Sequence, residues 1–194
     1  MEHWETLKPG GYRFVYDDGL FRPGTDTFLL SSLPRLKTGL RVCDLGCGTG
    51  LLGLLLLQRQ PDLCVTGVDI QPAAIRLAEK AAAENRLQDC LTFQTADLRD
   101  AKGLFPTGSF DLAVCNPPYY PPTSGALSGD DARRTARSEV DCTLEDICRT
   151  ASHLLRWGGK PGLTIEAPLI LQTADGAPTP EVNAIYFRQQ EEMP

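Results

Sequence analysis

An α/β fold built on an open parallel sheet is predicted by three observations in this 194-residue chain. Short apolar runs alternate with longer helical patterns from Leu40 onward. A glycine cluster, Gly46-Cys47-Gly48-Thr49-Gly50, stands where the first run passes into the first helix. Aspartates close or follow successive runs, at Asp44, Asp69 and Asp97. Strands separated by helices give a parallel sheet with crossover helices on its faces.

Each element has a local reason. Leu40 to Leu45 reads as a buried strand that ends in the glycine cluster. Gly50 to Gln60 follows as an apolar helix closed by Pro61. Cys64 to Asp69 is a second strand, and Pro72 to Asn85 is an alanine-rich helix with Pro72 as its opener. Leu91 to Thr95 and Phe110 to Cys115 read as the third and fourth strands. Leu144 to Trp157 is a final helix stopped by Gly158-Gly159. Residues 1–39, broken at Pro23-Gly24 and Pro34, are predicted as an N-terminal extension packed on a core of residues 40–160. Residues 161–194, proline-rich with a turn at Asp175-Gly176 and little periodicity, read as an extended C-terminal tail.

Composition narrows the function. With 42% hydrophobic and 23% charged residues the chain is globular, and its length suits one domain. The longest apolar run, Leu51 to Leu57, is interrupted by Gly53 and falls short of the roughly 20 residues a bilayer requires, so no membrane span is expected. The acidic start Met1-Glu2-His3-Trp4-Glu5 is not a secretory signal, which points to the cytoplasm. Seven cysteines, none in a C-x-x-C pair, are expected to be reduced and used as small core residues. Only His3 and His153 are present, so a histidine triad or a metal site is not expected. A net charge of -6 and a pI near 4.9 argue against loose, charge-driven nucleic-acid binding and leave room for a nucleic acid held locally.

The glycine cluster lets backbone approach a ligand, and the helix behind it offers free N–H groups. A dinucleotide fingerprint would need glycine at position 51, where this chain has Leu51. Asp44, directly before the loop, would repel a pyrophosphate and favours a cationic amino or sulfonium group. Asp69 ends the second strand, where an acid can take both ribose hydroxyls, and Asp97 follows the third, where it can accept from an adenine amine. A helix N-cap or a solvated strand end is the plain alternative for each aspartate alone. Three of them beside one glycine loop make a ligand site the better reading.

These residues resemble the class I methyltransferases that use S-adenosylmethionine, over roughly residues 40 to 160, with Asp44 to Gly50 and Asp69 as the specific part. The resemblance implies that Gly46, Gly48 and Gly50 line the methionine portion. Asp69, with Ile70 beside it, holds the ribose, and Asp97 with Leu98 borders the adenine. Thr25 and Asp26 are candidates to border the cofactor, with a helix N-cap the other explanation for Asp26.

The fourth strand runs into Asn116-Pro117-Pro118-Tyr119, followed by Tyr120 and Pro121-Pro122. Two prolines withhold two backbone donors, so the local polar groups are carbonyl oxygens and the Asn116 amide. If Asn116 Oδ1 and the Pro117 carbonyl each take one hydrogen of a planar amine, its lone pair turns toward in-line attack on a sulfonium methyl. Tyr119 offers a face for stacking a flat acceptor, a contact worth about 1 to 3 kcal/mol for a nucleobase. The competing reading is a proline-rich surface turn. The tetrapeptide resembles the signature of methyltransferases that act on amino groups of planar systems, among them nucleic-acid adenine and guanine and the glutamine amide of a protein.

The flanks select among these. Tyr12-Arg13-Phe14, the stretch from Leu20 to Leu30, Ala136-Arg137-Ser138-Glu139 and the tail segments Pro168 to Leu171 and Thr179 to Val182 resemble the bacterial tRNA(Val) (adenine-N6)-methyltransferase family. That resemblance implies tRNA as the substrate, with Pro118, Tyr119 and Tyr120 at a base that has left its stack. Arg133, Arg134 and Arg137 are candidates to meet phosphates, or form a solvated loop balanced by Asp130, Asp131 and Glu139. Lys8, Arg13 and Arg22 form a second candidate phosphate patch. N5-glutamine methylation of a protein, which suits the acidic pI, and a cofactor-binding module without turnover are the alternatives.

One departure from the family pattern bears on the fold. After the final helix the family continues with a fifth strand, another helix and two further strands, whereas here Lys160 leads directly into Pro161 to Glu166, which matches the tail. The expected fold class is therefore a Rossmann-like parallel sheet of the class I methyltransferase type, truncated after the fourth strand and its helix. The fourth strand would then be a bare edge. Leu163 to Leu171, or the same surface of a second subunit in a homodimer, is expected to cover it.

Overall fold

The computed structural model describes residues 1–20, 24–116, 142–155, 163–166, 169–174, 177–182 and 185–189. In chain order the parallel part of the sheet comes from β3 (Arg41–Leu45), β4 (Cys64–Asp69), β5 (Leu91–Thr95) and β6 (Leu112–Cys115). Between them lie α2 (Leu51–Arg59), α3 (Pro72–Glu84) and the short α4 (Ala101–Leu104); α5 (Leu144–Leu154) follows β6.

Alternation along β3 divides the core. Val42 joins a cluster with the leucines of α2 and with Ala81 and Ala82 of α3, while Cys43 and Leu45 join Val68, Ala113 and Cys115 against Ile147, Ala151 and Leu154 of α5. Every residue from Leu51 to Leu57 is buried, which is why α2 is apolar all round. The start of α5 is fixed by a capping box. Thr143 Oγ1 accepts from the Asp146 N–H at 3.2 Å while the Asp146 carboxylate accepts from the Thr143 N–H at 3.0 Å.

The N-terminal segment contains an antiparallel hairpin, β1 (Glu2–Thr6) with β2 (Arg13–Asp17), and a helix, α1 (Thr25–Ser32). Phe14 and Val15 of β2 are buried in the first cluster. Asn85 anchors the hairpin to the end of α3: its Oδ1 accepts from the Arg13 N–H at 2.8 Å and its Nδ2 donates to the Arg13 carbonyl at 2.6 Å, as a neighbouring strand would. Helix α1 packs on α2, where Arg59 donates to the Ser31 and Pro34 carbonyls.

The expected bare edge is covered, by a different segment from the one anticipated. Residues beyond α5 form β7 (Leu163–Glu166), β8 (Leu169–Ala174), β9 (Ala177–Val182) and β10 (Ile185–Gln189). β10 pairs antiparallel with β6, Ile185 opposite Cys115, and β7 pairs with the outer side of β10, giving the strand order β5-β4-β3-β6-β10-β7. Of Leu163 to Leu171, the segment expected against the fourth strand, Leu163 to Glu166 pairs with β10 and not with β6, and the part from Leu169 onward pairs with β9 in a separate hairpin. The cover is thus supplied by the same chain. Antiparallel return strands need no crossover helix, so a short segment suffices.

Among the described residues no helix is long and apolar enough to cross a membrane. All seven cysteines are free thiols. Cys43, Cys47 and Cys115 are buried, whereas Cys64 stands exposed at the start of β4 instead of in the core.

Candidate active site

The chain runs from β3 outward through β4 to β5, then returns to place β6 on the other side of β3. The carboxyl ends of β3 and β6 therefore flank the point where the strand order reverses, the place at which open α/β sheets bind ligands. Pairing is in register there, Asp44 opposite Val114 and Leu45 opposite Cys115. One residue further on stand Gly46 and Asn116.

A cleft opens at this point, lined by Asp44, Gly46, Gly48, Gln71, Asn116 and Thr27. Gly46, Gly48 and Gly50 have φ of +73°, +53° and +77°, a left-handed conformation that side chains disfavour. A Cβ at Gly46 or Gly48 would meet nothing within 4 Å, so bare backbone borders open space. Gly50 is different. A Cβ there would stand 2.7 Å from Phe93 Cζ, so this glycine serves the packing of the loop onto β5.

Asp44 is 1% exposed, and its Oδ2 has no hydrogen-bond partner among the described residues. Burial pushes its carboxyl up to about 7, the nearby Asp69 adds to the rise, and the Gly53 N–H opposes it. A buried carboxylate oxygen without a donor beside a cleft is a vacant acceptor for a cationic or N–H group. Asp69 is also buried. Its Oδ2 accepts from the Gly48 N–H and its Oδ1 from the Gln71 N–H, each at 2.8 Å, and burial raises its carboxyl above the ordinary value against the pull of those two donors.

Asn116, at the end of β6, donates from Nδ2 to Thr27 Oγ1 at 2.9 Å. Thr27 is 6% exposed and lies on the inner face of α1. It is therefore Thr27 that lines the cleft, while Thr25 sits exposed at the start of the helix and Asp26 lies in its first turn behind Gly24 as N-cap. Thr27, Leu30 and Ser31 share one helix face, and that periodicity is the signal which could have selected Thr27.

The remaining candidates are dispersed. Asp97 does not line the cleft; its carboxylate is held by the Arg99 guanidinium, with Nε at 3.0 Å from both oxygens, and this pairing draws its pKa below the ordinary value. Ile70 is 46% exposed beside Asp69, and Leu98 packs against the α5 side of the core with its carbonyl accepting from Thr150 Oγ1 at 2.6 Å. Arg13 is engaged by Glu84 and lies over the Trp4 ring at 5.1 Å, so its guanidinium serves the hairpin. Pro117, Pro118, Tyr119, Tyr120, Arg133, Arg134, Arg137 and Arg22 lie outside the described residues.

Comparison with known proteins agrees with this layout. A family model, the methyltransferase small domain, matches residues 13–128. Two curated relatives bear the name tRNA1(Val) (adenine(37)-N6)-methyltransferase. That of Dickeya chrysanthemi is 32% identical over 166 residues, covering 82% of this chain and 64% of the relative. That of Yersinia enterocolitica is 30% identical over 159 residues, covering 79% and 62%. The chain thus spans a little under two thirds of the length of these relatives. Among solved structures, a methyltransferase from Thiobacillus denitrificans in complex with S-adenosyl-L-homocysteine superposes with a TM-score of 0.51 at 18% identity, over 79% of this chain and 52% of that one. A geranyl diphosphate methyltransferase gives 0.50 at 22% identity, over 73% and 42%. These likenesses show the same Rossmann-like class I fold. With the family match covering more than half of its residues, the chain belongs to the methyltransferase small domain family.

Proposed function

We propose that this chain transfers the methyl group of S-adenosylmethionine to the exocyclic N6 of adenine in tRNA. The observation that carries the reading is the meeting, in one cleft at the switch point of the sheet, of the partnerless Asp44 oxygen and the Asn116 amide. The printed names of the relatives support tRNA adenine as the acceptor.

The residues present fit the cofactor. Asp44 offers a buried anionic acceptor to a cationic ligand, and Gly46 and Gly48 offer backbone with no side chain in the way. Each Asp69 oxygen keeps a second lone pair beyond the N–H it accepts, enough to take the two ribose hydroxyls, and Ile70 adjoins that position. When bound, S-adenosylmethionine supplies an electrophilic methyl on a sulfonium.

The chain's own part in the reaction is orientation and polarity. Asn116 Oδ1 accepts a hydrogen of the acceptor amine and favours the geometry in which the nitrogen lone pair leaves the ring system. A neutral aromatic amine loses its proton readily once methylated, so no strong base is required. Leu20, Leu51 and Leu52 add apolar surface to the wall of the cleft.

The test is incubation of the purified chain with methyl-labelled S-adenosylmethionine and total tRNA, or total protein, followed by digestion to nucleosides or amino acids. Label in N6-methyladenosine is the expected result. Label in N5-methylglutamine, with none in tRNA, would overturn the acceptor assignment.

A further inference from the structure

We propose that Cys64 and Cys90 form a thiol pair that closes to a disulfide under oxidising conditions and fastens the outer edge of the sheet. The pair sits at the amino ends of β4 and β5, the end of the sheet away from the cleft.

The pairing of β4 with β5 brings the two residues side by side. The strands run parallel with Val65 opposite Leu91, so Cys64 and Cys90 stand one step before the first registered pair. The Val65 N–H donates to the Cys90 carbonyl at 2.7 Å, which carries the ladder to that step. Neighbouring strands lie about 4.8 Å apart. Disulfides join α-carbons about 4.4 to 6.8 Å apart, so the backbone already has the spacing one needs. Both residues are free thiols, Cys64 exposed and Cys90 half-buried, whereas Cys43, Cys47 and Cys115 are buried. Cys90 Sγ donates to the Leu87 carbonyl at 3.5 Å, a weak bond, and closure requires it to turn from that oxygen to Cys64.

Exposure makes Cys64 the point of entry. Its thiolate attacks one sulfur of a low-molecular-weight disulfide such as oxidised glutathione, one glutathione thiolate leaves, and a mixed disulfide remains on Cys64. The Cys90 thiolate then attacks Cys64 Sγ and expels the second glutathione. Two protein thiols are oxidised, one small disulfide is reduced, and the two protons pass to the departing thiolates. Burial, then the charges of Cys64 and Asp89, raise the Cys90 thiol above its ordinary range. A thiol that ionises reluctantly is a slow leaving group, so the closed bridge resists reopening. β5 is the last strand on its side of the sheet, and the bridge would tie it to β4 while closing residues 65–89, α3 included, into a loop.

The test equilibrates the full chain in graded ratios of oxidised to reduced glutathione, alkylates the remaining thiols and digests with trypsin. Cleavage after Arg59, Arg76, Arg86 and Arg99 puts the two cysteines on separate peptides, residues 60–76 and 87–99, neither with another cysteine. The expected result is a disulfide-linked pair of these peptides, two fewer alkylated thiols among the seven, and a urea midpoint shifted upward. Cys90→Ser should instead retain glutathione on Cys64, because the resolving thiol is gone. A wild-type chain that keeps glutathione on Cys64, or shows no linked peptides at any ratio, overturns the proposal. A linked chain whose urea midpoint falls overturns the fastening of the edge.

Discussion

The backbone N–H of Gly48 donates to Oδ2 of Asp69 at 2.8 Å and ties the glycine loop to the end of the neighbouring strand. The same carboxylate holds the Gln71 N–H ahead of α3, so one side chain fixes both walls of this part of the cleft. Asp69→Ala leaves both donors without their acceptor. Unfolding free energy should fall by about 1 to 3 kcal/mol in urea denaturation. Calorimetry should show weaker binding of S-adenosylmethionine, since the hold on the loop and the proposed ribose contact are lost together. Unchanged affinity would remove Asp69 from the cofactor site.

Asp44 makes the site sensitive to pH. Burial, and then the charge of Asp69, push its carboxyl to about 7, against 3.8 for an exposed aspartate. Between those values the folded chain holds a proton that the unfolded chain has released. The folded state therefore binds more protons, and the stability Asp44 contributes is fully present below about pH 4 and is lost as pH rises toward 7. Cofactor binding follows the opposite sign, because a cationic ligand needs the ionised form. With a midpoint near 7, affinity for S-adenosylmethionine should rise about tenfold from pH 6 to pH 8, and Asp44→Asn should flatten that profile. A wild-type affinity independent of pH across this interval would refute the assignment.

Much of this arrangement is legible in the sequence because it is local. Cys64 to Asp69 and Leu91 to Thr95 are bounded by turn and helix signals within a few residues, and both strands occur with those limits. That Asp44 and Asn116 stand at one cleft was legible because each lies at the carboxyl end of a run, and these ends share one side of a parallel sheet. What escaped detection depends on distant partners. The hairpin of residues 2–17 is held by Asn85, and β10 pairs with β6 across the whole of α5, so neither leaves a periodic mark. Thr25 and Thr27 are chemically identical candidates, and only the packing of α1 on α2 decides which of them turns inward.

Gly50 supports a prediction about packing. Its φ of +77° and the 2.7 Å approach of Phe93 Cζ to a built Cβ combine two costs in Gly50→Ala, a left-handed alanine and an overfilled contact. Together they should destabilise the fold by about 3 kcal/mol. Adding Phe93→Leu to Gly50→Ala should recover the part due to crowding and leave the part due to backbone strain, so the double variant should lie between wild type and the single one in chemical denaturation. Full recovery would show that strain at residue 50 is unimportant.

Asn116→Ala separates binding from turnover. The residue stands at the end of β6 with its Nδ2 on Thr27, and the side chain is half-buried, so its removal deletes the bond to Thr27 in a site whose backbone is already fixed by pairing with β3 and β10. The fold should lose about 1 kcal/mol or less. Affinity for S-adenosylmethionine, which the proposed site places on Asp44, Asp69 and the glycine loop, should stay within about twofold. Transfer to tRNA should fall by about a hundredfold to ten-thousandfold, the range for losing a group that acts in the transition state. Asn116→Asp keeps the size and the oxygen but adds charge. In that variant a carboxylate would repel Asp44 across the cleft, and its rate should rise as pH falls and the extra acid takes up a proton. Calorimetry beside single-turnover transfer checks both variants, and an Asn116→Ala rate within about tenfold of wild type would place the acceptor chemistry on other residues.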